Sequence, residues 1–168
     1  GKQSLQYFYM NKAAIYALKA RVNLYMGKYD VAEAAAKKAI ELKGKGNGTS
    51  TDTDPTDETY LNMWASVNVT DEDIFTISKT ENDNLSANAL NTLYGSYNGS
   101  VSAYCISFFA DTDIRANLIG TVDSNTGGCR KYQGLETSQA TSNIPVFRKS
   151  EMALIIAECE ARIGSLDE

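Results

Sequence analysis

Apolar residues recur every three or four positions over the first forty residues, a spacing typical of amphipathic helices. The first helix is predicted from Gln6 to Met26, and Gly27 is placed to end it, because glycine readily adopts the left-handed conformation after a helix C-terminus. A second helix is predicted from Asp30 to the glycine-rich run at 44–48. Alanines line one face of each helix, so the pattern predicts two closely packed helices. These alanines are Ala13, Ala14, Ala17 and Ala20 in the first, and Ala32, Ala35, Ala36 and Ala39 in the second.

The alanine-rich pair matches the tetratricopeptide signature, in which small residues allow two helices to approach. The step from Ala20 to Gly27 recurs as Ala157 to Gly164, which predicts the first helix of another such unit. These two segments lie much farther apart than the ~34 residues between adjacent tetratricopeptide repeats. We therefore expect a piece of a longer protein with three regions: a first tetratricopeptide-like helix pair over 1–43, an irregular insertion with ligand-binding loops over 44–143, and the truncated start of a second unit over 144–168.

The insertion shows shorter and weaker patterns. Asp54 and Pro55 suit the start of a helix that carries Tyr60 and Trp64. The remaining predictions follow in chain order. They are a strand over 73–80 with Phe75 and Ile77 on one face, a polar loop over 81–100, a glycine-rich turn over 120–128, and a short strand over 129–133. The segment 100–109 suits either a helix or a strand, and a helix capped by Ser100 or Ser102 is favoured.

Composition excludes several kinds of site. The 168 residues include no histidine, which excludes a Ser-His-Asp triad and a His-ligated zinc site. Three cysteines lie too far apart for a CxxC motif, although Cys105 and Cys129 are able to pair in an oxidising compartment. The formal net charge of −5 argues against a nucleic-acid partner. No stretch approaches the ~20 apolar residues that span a bilayer, and we expect no metal or cofactor.

Five blocks in order resemble the SusD/RagB family, the surface nutrient-binding lipoproteins of Bacteroidota. The first block is the alanine-rich helix pair. The last resembles the family's P-x-x-R-x-x-E helix and the A-E-x-x-x-R-x-G element after it. The blocks are NKAAIYALKARVNLYMGKYDVAEAAAKKAIEL (11–42), DEDIFTIS (71–78), DTDIR (111–115), RKY (130–132) and IPVFRKSEMALIIAECEARIG (144–164).

The resemblance implies a mainly α fold, in which a tetratricopeptide-like helical scaffold carries a long irregular insertion with short strands. It implies a non-catalytic protein that binds an oligosaccharide, or a peptide, and delivers it to a TonB-dependent transporter of the SusC type. It also implies an outer-membrane lipoprotein on the cell surface, attached only through a lipid anchor that this chain lacks. The alternative function is a tetratricopeptide-type scaffold that binds another protein. The resemblance does not identify the glycan or peptide.

The first candidate for ligand contact is the cluster Tyr94, Tyr97 and Asn98 in the segment LYGSYNGS. A sugar presents C–H faces that stack on aromatic rings and hydroxyl groups that bond to planar amides. Small polar neighbours and Gly95 favour exposed rings on a loop that approaches a ligand closely. An ordinary loop whose tyrosines pack back on the domain is the alternative.

The second candidate is Tyr60 with Trp64, which lie one helical turn apart and so share a face. Packing in the core is the alternative role for both, and Tyr104 is expected in the core. We expect two ion pairs that support helices rather than perform catalysis: Arg148 with Glu151, and Glu158 with Arg162. The acidic residues of 52–58 do not follow an EF-hand pattern and are interpreted as a solvated loop.

Overall fold

The computed structural model describes residues 7–43, 60–61, 63–64, 70, 72–80, 82, 89–95, 97–122, 125–132 and 142–164. These residues are mainly helical, as the sequence predicts. The chain forms two compact units. Unit 1 is drawn from Gly1–Thr53, Val69–Ile77 and Ile144–Glu168, and unit 2 from Asp54–Asn68 and Ser78–Asn143. The predicted helix start at Asp54 and Pro55 and the acidic segment 52–58 lie outside the described residues.

Helix α1 spans Lys12–Tyr25 and begins later than predicted from Gln6. Asn11 is the N-cap of α1 and has an extended backbone conformation. Its side chain accepts a hydrogen bond of 2.9 Å from the Ala14 amide. Asparagine is a favoured N-cap because this bond satisfies an amide that the helix itself leaves unpaired. After the helix, Gly27 has φ +69°, so the predicted glycine stop is confirmed.

Helix α2 spans Tyr29–Lys43 and packs against α1 through the two alanine stripes. Each of the eight alanines is at most 6% exposed, so the prediction that small residues bring these helices together is confirmed. The third long helix, α5, spans Lys149–Ile163 and packs on α2. Its contribution to the buried core is Met152, Ile155 and Cys159.

Strands β1 (Asp73–Ile77) and β4 (Ile144–Arg148) pair antiparallel beneath these helices in unit 1. The strand β1 was predicted, but 144–148 was assigned to a helix, and that assignment is wrong. Its β-branched and aromatic residues suit a strand, and pairing with β1 supplies the backbone hydrogen bonds that a helix would otherwise provide. Ile74 is fully buried in β1, whereas Ile77 is 49% exposed, so the core side of β1 is the face opposite Phe75 and Ile77.

The acidic residue Glu72 caps α5 from outside the helix. The helix follows Arg148, whose side chain makes no capping bond. Instead, the Glu72 carboxylate accepts a bond of 3.1 Å from the Ser150 amide, and its carbonyl accepts one of 2.8 Å from the Lys149 amide. A negative group is favoured at a helix N-terminus, so Glu72 stabilises the start of α5.

Unit 2 contains short elements. They are helices α3 (Leu90–Leu93) and α4 (Ala103–Ile106), the 3-10 helix Ile114–Leu118, and the antiparallel strands β2 (Ile119–Val122) and β3 (Asn125–Cys129). The predicted helix within 100–109 is confirmed, and Ser102 caps it by accepting from the Cys105 amide. The polar loop predicted over 81–100 is interrupted by α3.

The glycine-rich segment forms a β-hairpin rather than the predicted turn, and the strand predicted over 129–133 retains only Cys129. Glycine at 127 suits a close approach, because a Cβ there would lie 3.0 Å from the Ser100 Cβ. A Cβ on Gly120 would lie 2.8 Å from the Arg130 guanidinium, which is the end of a flexible side chain and is able to move aside. Close approach of Ser100 at Gly127 thus offsets the low strand propensity of glycine.

Within the described part of the chain, no helix combines the length and the hydropathy that crossing a bilayer requires.

Candidate ligand-binding site

The loop after α3 presents Tyr97 and Asn98 to solvent. The Tyr97 side chain is 62% exposed, Asn98 is exposed, and Tyr94 is half-buried. The Tyr97 amide donates to the Thr92 carbonyl at 2.9 Å, and the Asn98 amide donates to the Gly95 carbonyl at 2.8 Å. These bonds turn the chain sharply while leaving the Tyr97 ring outside, so the prediction of an exposed ring on a tight loop is met at this position.

Asn98 adopts φ +57°, the left-handed region that asparagine tolerates better than most residues. Gly99 follows, and its amide donates to the Leu93 carbonyl at 2.9 Å. A Cβ on Gly99 would lie 2.3 Å from that carbonyl oxygen, which is inside any real contact distance. Glycine is therefore required at this position for the loop to close.

Strand β3 anchors both ends of this loop. The Cys129 amide donates to the Tyr94 carbonyl at 3.1 Å, and the Val101 amide donates to the Gly127 carbonyl at 3.0 Å. The donor and the acceptor on β3 are two residues apart, a distance of about 7 Å along a strand. The loop base is thus narrow and fixed, which reduces the conformational entropy lost when a ligand binds.

The single tryptophan, Trp64, is 5% exposed and covered by protein groups. The ring centroids of Tyr60 and Tyr132 lie 6.1 Å and 5.2 Å from it, both in edge-to-face geometry. The Lys131 ammonium lies 4.3 Å from the ring centroid, within the range of a cation–π interaction. The Trp64 ring therefore packs against protein groups, which is the alternative that the sequence left open for it. Tyr60 is half-buried and lies at the edge of this aromatic cluster.

Tyr132 joins this cluster, although sequence analysis gave it no site role. Its amide donates to the Trp64 carbonyl at 3.0 Å, and its φ is +59°, an unusual value for an aromatic residue. The structure thus places the RKY block in a turn that brings Lys131 and Tyr132 onto Trp64. No spacing in the sequence signals this contact, because the partners are distant along the chain.

Tyr104 was expected in the core, and that expectation is wrong. Its side chain is 75% exposed and that of Phe108 is 68% exposed, and their rings form an edge-to-face pair with centroids 4.8 Å apart. No residue of α4 is buried. A four-residue helix is too short to develop a buried face, and the serines around it were the signal in the sequence for a solvated segment.

Asp113 and Arg115 form a local ion pair near this surface. Asp113 caps the 3-10 helix by accepting from the Arg115 amide at 2.9 Å, and its carboxylate also binds the Arg115 guanidinium at 2.5 Å. Hydrogen bonds from Arg115 hold the pKa of Asp113 below its usual range. The Arg115 guanidinium also lies 5.5 Å from the Phe109 ring centroid.

The predicted ion pair between Glu158 and Arg162 is confirmed at 2.7 Å. The other prediction, Arg148 with Glu151 on one helix, is wrong, because Arg148 precedes α5 and Glu151 binds Arg21. All three cysteines are free. Among the described residues, no group of three or more acidic or cysteine side chains is arranged to hold a metal ion.

Several solved structures match the fold. A SusD superfamily protein from Bacteroides thetaiotaomicron VPI-5482 covers 98% of this chain with a TM-score of 0.75 and 24% identity. A SusD superfamily protein from Bacteroides vulgatus ATCC 8482 covers 92% with a TM-score of 0.73 and 26% identity. A SusD-like carbohydrate-binding protein from the same B. vulgatus strain covers 96% with a TM-score of 0.71 and 21% identity.

The chain spans 40%, 37% and 35%, respectively, of the length of these three structures. A scan of protein-family models finds no match, and a search of curated proteins finds no significant relative. The similarity therefore rests on the arrangement of the helices and strands over most of this chain. It confirms the resemblance that the sequence blocks predicted: this chain has the fold of the SusD superfamily.

Proposed function

We propose that this chain is part of a non-catalytic glycan-binding protein and that the loop carrying Tyr97 and Asn98 contacts the sugar. The observation that carries the proposal is an exposed aromatic ring on a fixed loop base, within the SusD fold. The carbohydrate binding named for one of the similar structures supports the same ligand class.

The chemistry of the loop suits a pyranose. The Tyr97 ring offers a flat apolar surface to the C–H face of a sugar, and its hydroxyl remains available to water or ligand. The Asn98 amide both donates and accepts, as hydroxyl recognition requires. The proposal keeps three further candidate ligand residues: Tyr94, Tyr60 and Trp64. Because Trp64 is buried, its main role is to support the neighbouring rings by packing against them.

The protein is further proposed to sit on the outer membrane as a lipoprotein and to deliver its ligand to a TonB-dependent transporter of the SusC type. The SusD-like fold of the similar structures supports this placement. A binding role without catalysis agrees with a sequence that lacks histidine, and nothing in the loop pairs an acid with a base.

Isothermal titration against defined oligosaccharides and oligopeptides tests the ligand. We expect at least one glycan to bind and Tyr97→Ala to weaken it by roughly 2- to 10-fold, the loss of one aromatic contact. Tyr25→Ala is the matched control, because Tyr25 is 86% exposed on α1 and outside the loop. Binding of peptides but of no glycan would overturn the proposed ligand class.

Purification of the natural protein from its own membrane tests the partner. We expect a TonB-dependent transporter to co-purify and to be required for uptake of the bound glycan. Co-purification of an unrelated protein, with unchanged glycan uptake after deletion of the gene, would favour the alternative function of a protein-binding scaffold.

A further inference from the structure

The Tyr97 loop, which we define as the segment from Tyr94 to Val101, contains a chemically labile pair of residues. The sequence has two Asn-Gly pairs, Asn47–Gly48 and Asn98–Gly99, and the second lies in this loop. Asparagine deamidates most readily before glycine, because glycine has no side chain to hinder attack by its amide nitrogen on the preceding side chain. Asn98 is exposed, so water reaches it.

The reaction requires the Gly99 amide nitrogen as its nucleophile. This nitrogen gives its proton to a base in the solvent and forms a bond to the Asn98 Cγ atom. The bond from Cγ to the side-chain nitrogen breaks, and that nitrogen takes a proton from water and leaves as ammonia. Water then opens the five-membered succinimide ring at one of its two carbonyls, which yields aspartate or isoaspartate.

The closed loop occupies the group that must react. The Gly99 N–H donates to the Leu93 carbonyl at 2.9 Å, so a neighbouring acceptor holds the proton that the reaction removes. Gly99 is half-buried, and loss of its proton would leave the Leu93 carbonyl without this donor in a partly desolvated place. Deamidation is therefore disfavoured while the bond between Gly99 and Leu93 is in place.

Strand β3 keeps this bond in place by anchoring the loop on both sides of Asn98. The Cys129 amide donates to the Tyr94 carbonyl, and the Val101 amide donates to the Gly127 carbonyl. Release of such a loop is a local opening that requires less free energy than global unfolding. The rate of deamidation in the folded protein should then equal the rate in an open chain multiplied by the open fraction.

The isoaspartate product is incompatible with the closed loop. Isoaspartate routes the main chain through its own side chain, which adds one carbon to the backbone between two anchored positions. The added length displaces the Gly99 amide from the Leu93 carbonyl. Aspartate adds a negative charge but keeps the backbone of asparagine, and it also tolerates the left-handed conformation that Asn98 adopts at φ +57°.

We infer that Asn98 is a deamidation site that reacts only when the Tyr97 loop opens, and that its isoaspartate product holds the loop open. This inference goes beyond the proposed function, because the rate of deamidation does not depend on whether a glycan binds. It gives the exposed face of the loop a chemical lifetime that the loop base controls.

Peptide mass spectrometry of protein aged in mildly alkaline buffer tests the inference. Trypsin separates the two pairs, because cleavage after Lys45, Lys79 and Arg115 places Asn47 and Asn98 on different peptides. In guanidinium chloride we expect both sites to react at comparable rates. In the folded protein we expect Asn98 to react at least about tenfold more slowly than it does in guanidinium chloride.

Two proline variants test the role of the loop base. Val101→Pro removes the N–H that donates to Gly127, and we expect it to speed the reaction of Asn98 by roughly 2- to 10-fold. Ala103→Pro is the matched control, because Ala103 is the first residue of α4, where proline is favoured. Its predecessor Ser102 already has φ −65° and ψ 147°, which suit a residue before proline. Ala103→Pro should stay within about twofold of wild type.

Amide hydrogen exchange tests the effect of the product. The protein is aged in guanidinium chloride and refolded, with Asn47→Gln to remove the other pair, and an isoaspartate methyltransferase quantifies isoaspartate. We expect the Val101 and Cys129 amides to exchange faster in the isoaspartate form than in Asn98→Asp. Equal exchange in these two forms would overturn the claim that the product holds the loop open.

Other outcomes would overturn the dependence on loop opening. One is an Asn98 rate that is the same in folded and denatured wild type, and another is equal acceleration by Val101→Pro and Ala103→Pro. If circular dichroism shows that Val101→Pro is unfolded, wild type below its unfolding transition replaces it. Its Asn98 rate should rise with guanidinium chloride in step with exchange of the loop amides, and a flat rate would contradict the inference. The proposed glycan binding would survive each of these failures.

Discussion

Arg21 and Glu151 form a two-pronged ion pair that joins α1 to α5. The Arg21 Nε and Nη2 atoms donate to the two Glu151 carboxylate oxygens at 2.6 and 2.7 Å. The Nη2 atom also donates to the Val146 carbonyl at 2.7 Å, and the guanidinium lies 4.3 Å from the Phe147 ring centroid. One side chain therefore ties a helix, a strand and a second helix of unit 1 together.

The first prediction concerns this pair. Hydrogen bonding to Glu151 raises the pKa of Arg21, and both side chains are about one-third exposed, so the pair is only partly screened by water. We expect Glu151→Gln to lower the free energy of unfolding by about 1–2 kcal/mol, and Arg21→Lys to lower it as well, because lysine has no planar two-pronged donor. Urea denaturation followed by circular dichroism measures both changes.

Glu158→Gln is the matched control for that prediction. Its partner Arg162 lies on the solvent-exposed surface of the same helix, and exposed ion pairs contribute little to stability. The prediction fails if Glu151→Gln and Glu158→Gln have the same effect on the urea midpoint.

A second prediction tests the alanine interface. Ala36 is fully buried on α2, whereas Ala34 is exposed on the same helix. Leucine at Ala36 adds atoms to a closely packed contact, and we expect Ala36→Leu to lower the free energy of unfolding by about 1–3 kcal/mol. Ala34→Leu should change it by less than about 0.5 kcal/mol. Comparable urea midpoints for the two leucine variants would show that α1 and α2 are not packed through Ala36.

A third prediction tests the base of the Tyr97 loop. Gly99→Ala places a Cβ 2.3 Å from the Leu93 carbonyl oxygen, so the loop must open. We expect the variant to lose glycan affinity at least as strongly as Tyr97→Ala, because the ring loses its fixed position. Titration with the glycan that binds the wild-type protein most tightly measures this loss.

Gly27→Ala is the comparison for that loop variant. A Cβ on Gly27 meets nothing within 4 Å, and the φ of +69° costs about 1–2 kcal/mol of stability. Its affinity for the oligosaccharide should stay unchanged. Full affinity in Gly99→Ala would rule out the proposed role of the loop base.

A fourth prediction concerns the difference in thiol reactivity between Cys105 and Cys159. Burial raises the pKa of the Cys159 thiol, with further contributions from the carboxylates of Glu33 and Glu158, whereas Cys105 is exposed. We expect a thiol reagent at pH 7 to label Cys105 rapidly and Cys159 only after denaturation, with mass spectrometry locating the label. Rapid labelling of native Cys159 would contradict its placement in the core.

The same pKa shift predicts a dependence of stability on pH. The folded state favours the protonated Cys159 thiol, while the unfolded chain ionises near the ordinary thiol pKa of about 8.5. The contribution of Cys159 to the free energy of unfolding is therefore fully present below the pKa of the unfolded chain. It is lost as the pH rises from there through the raised pKa of the folded state. We expect Cys159→Ala to reduce the fall in urea midpoint between pH 8 and pH 10, and an unchanged fall would contradict this.

A fifth prediction uses the single tryptophan. Because Trp64 is buried between Tyr60 and Tyr132, acrylamide should quench its fluorescence poorly in the folded protein. We expect Tyr132→Ala to increase the quenching constant by uncovering the ring, and Tyr104→Ala to leave it unchanged. Equal quenching in Tyr132→Ala and wild type would show that Tyr132 does not cover the indole.

Sequence alone determined the elements that depend on local chemistry. Alanine spacing predicted the α1–α2 pair, Gly27 its turn, and Ser100 or Ser102 the cap of α4, because each effect acts within one or two helical turns. The order of five short blocks predicted the SusD fold. For Tyr97 the small polar neighbours favoured an exposed ring but left a ring packed on the domain as the alternative, and the structure decided between them.

Tertiary structure decided whatever depends on partners distant in sequence. Strand β4 replaced a predicted helical start because β1 pairs with it, and Glu151 binds Arg21 rather than the nearby Arg148. Trp64 and Tyr104 have similar aromatic character, yet one is covered by Tyr132 and Lys131 and the other is exposed on a helix too short to bury a face. Burial is a property of the packed neighbours, and periodicity along the chain does not encode which neighbours those are.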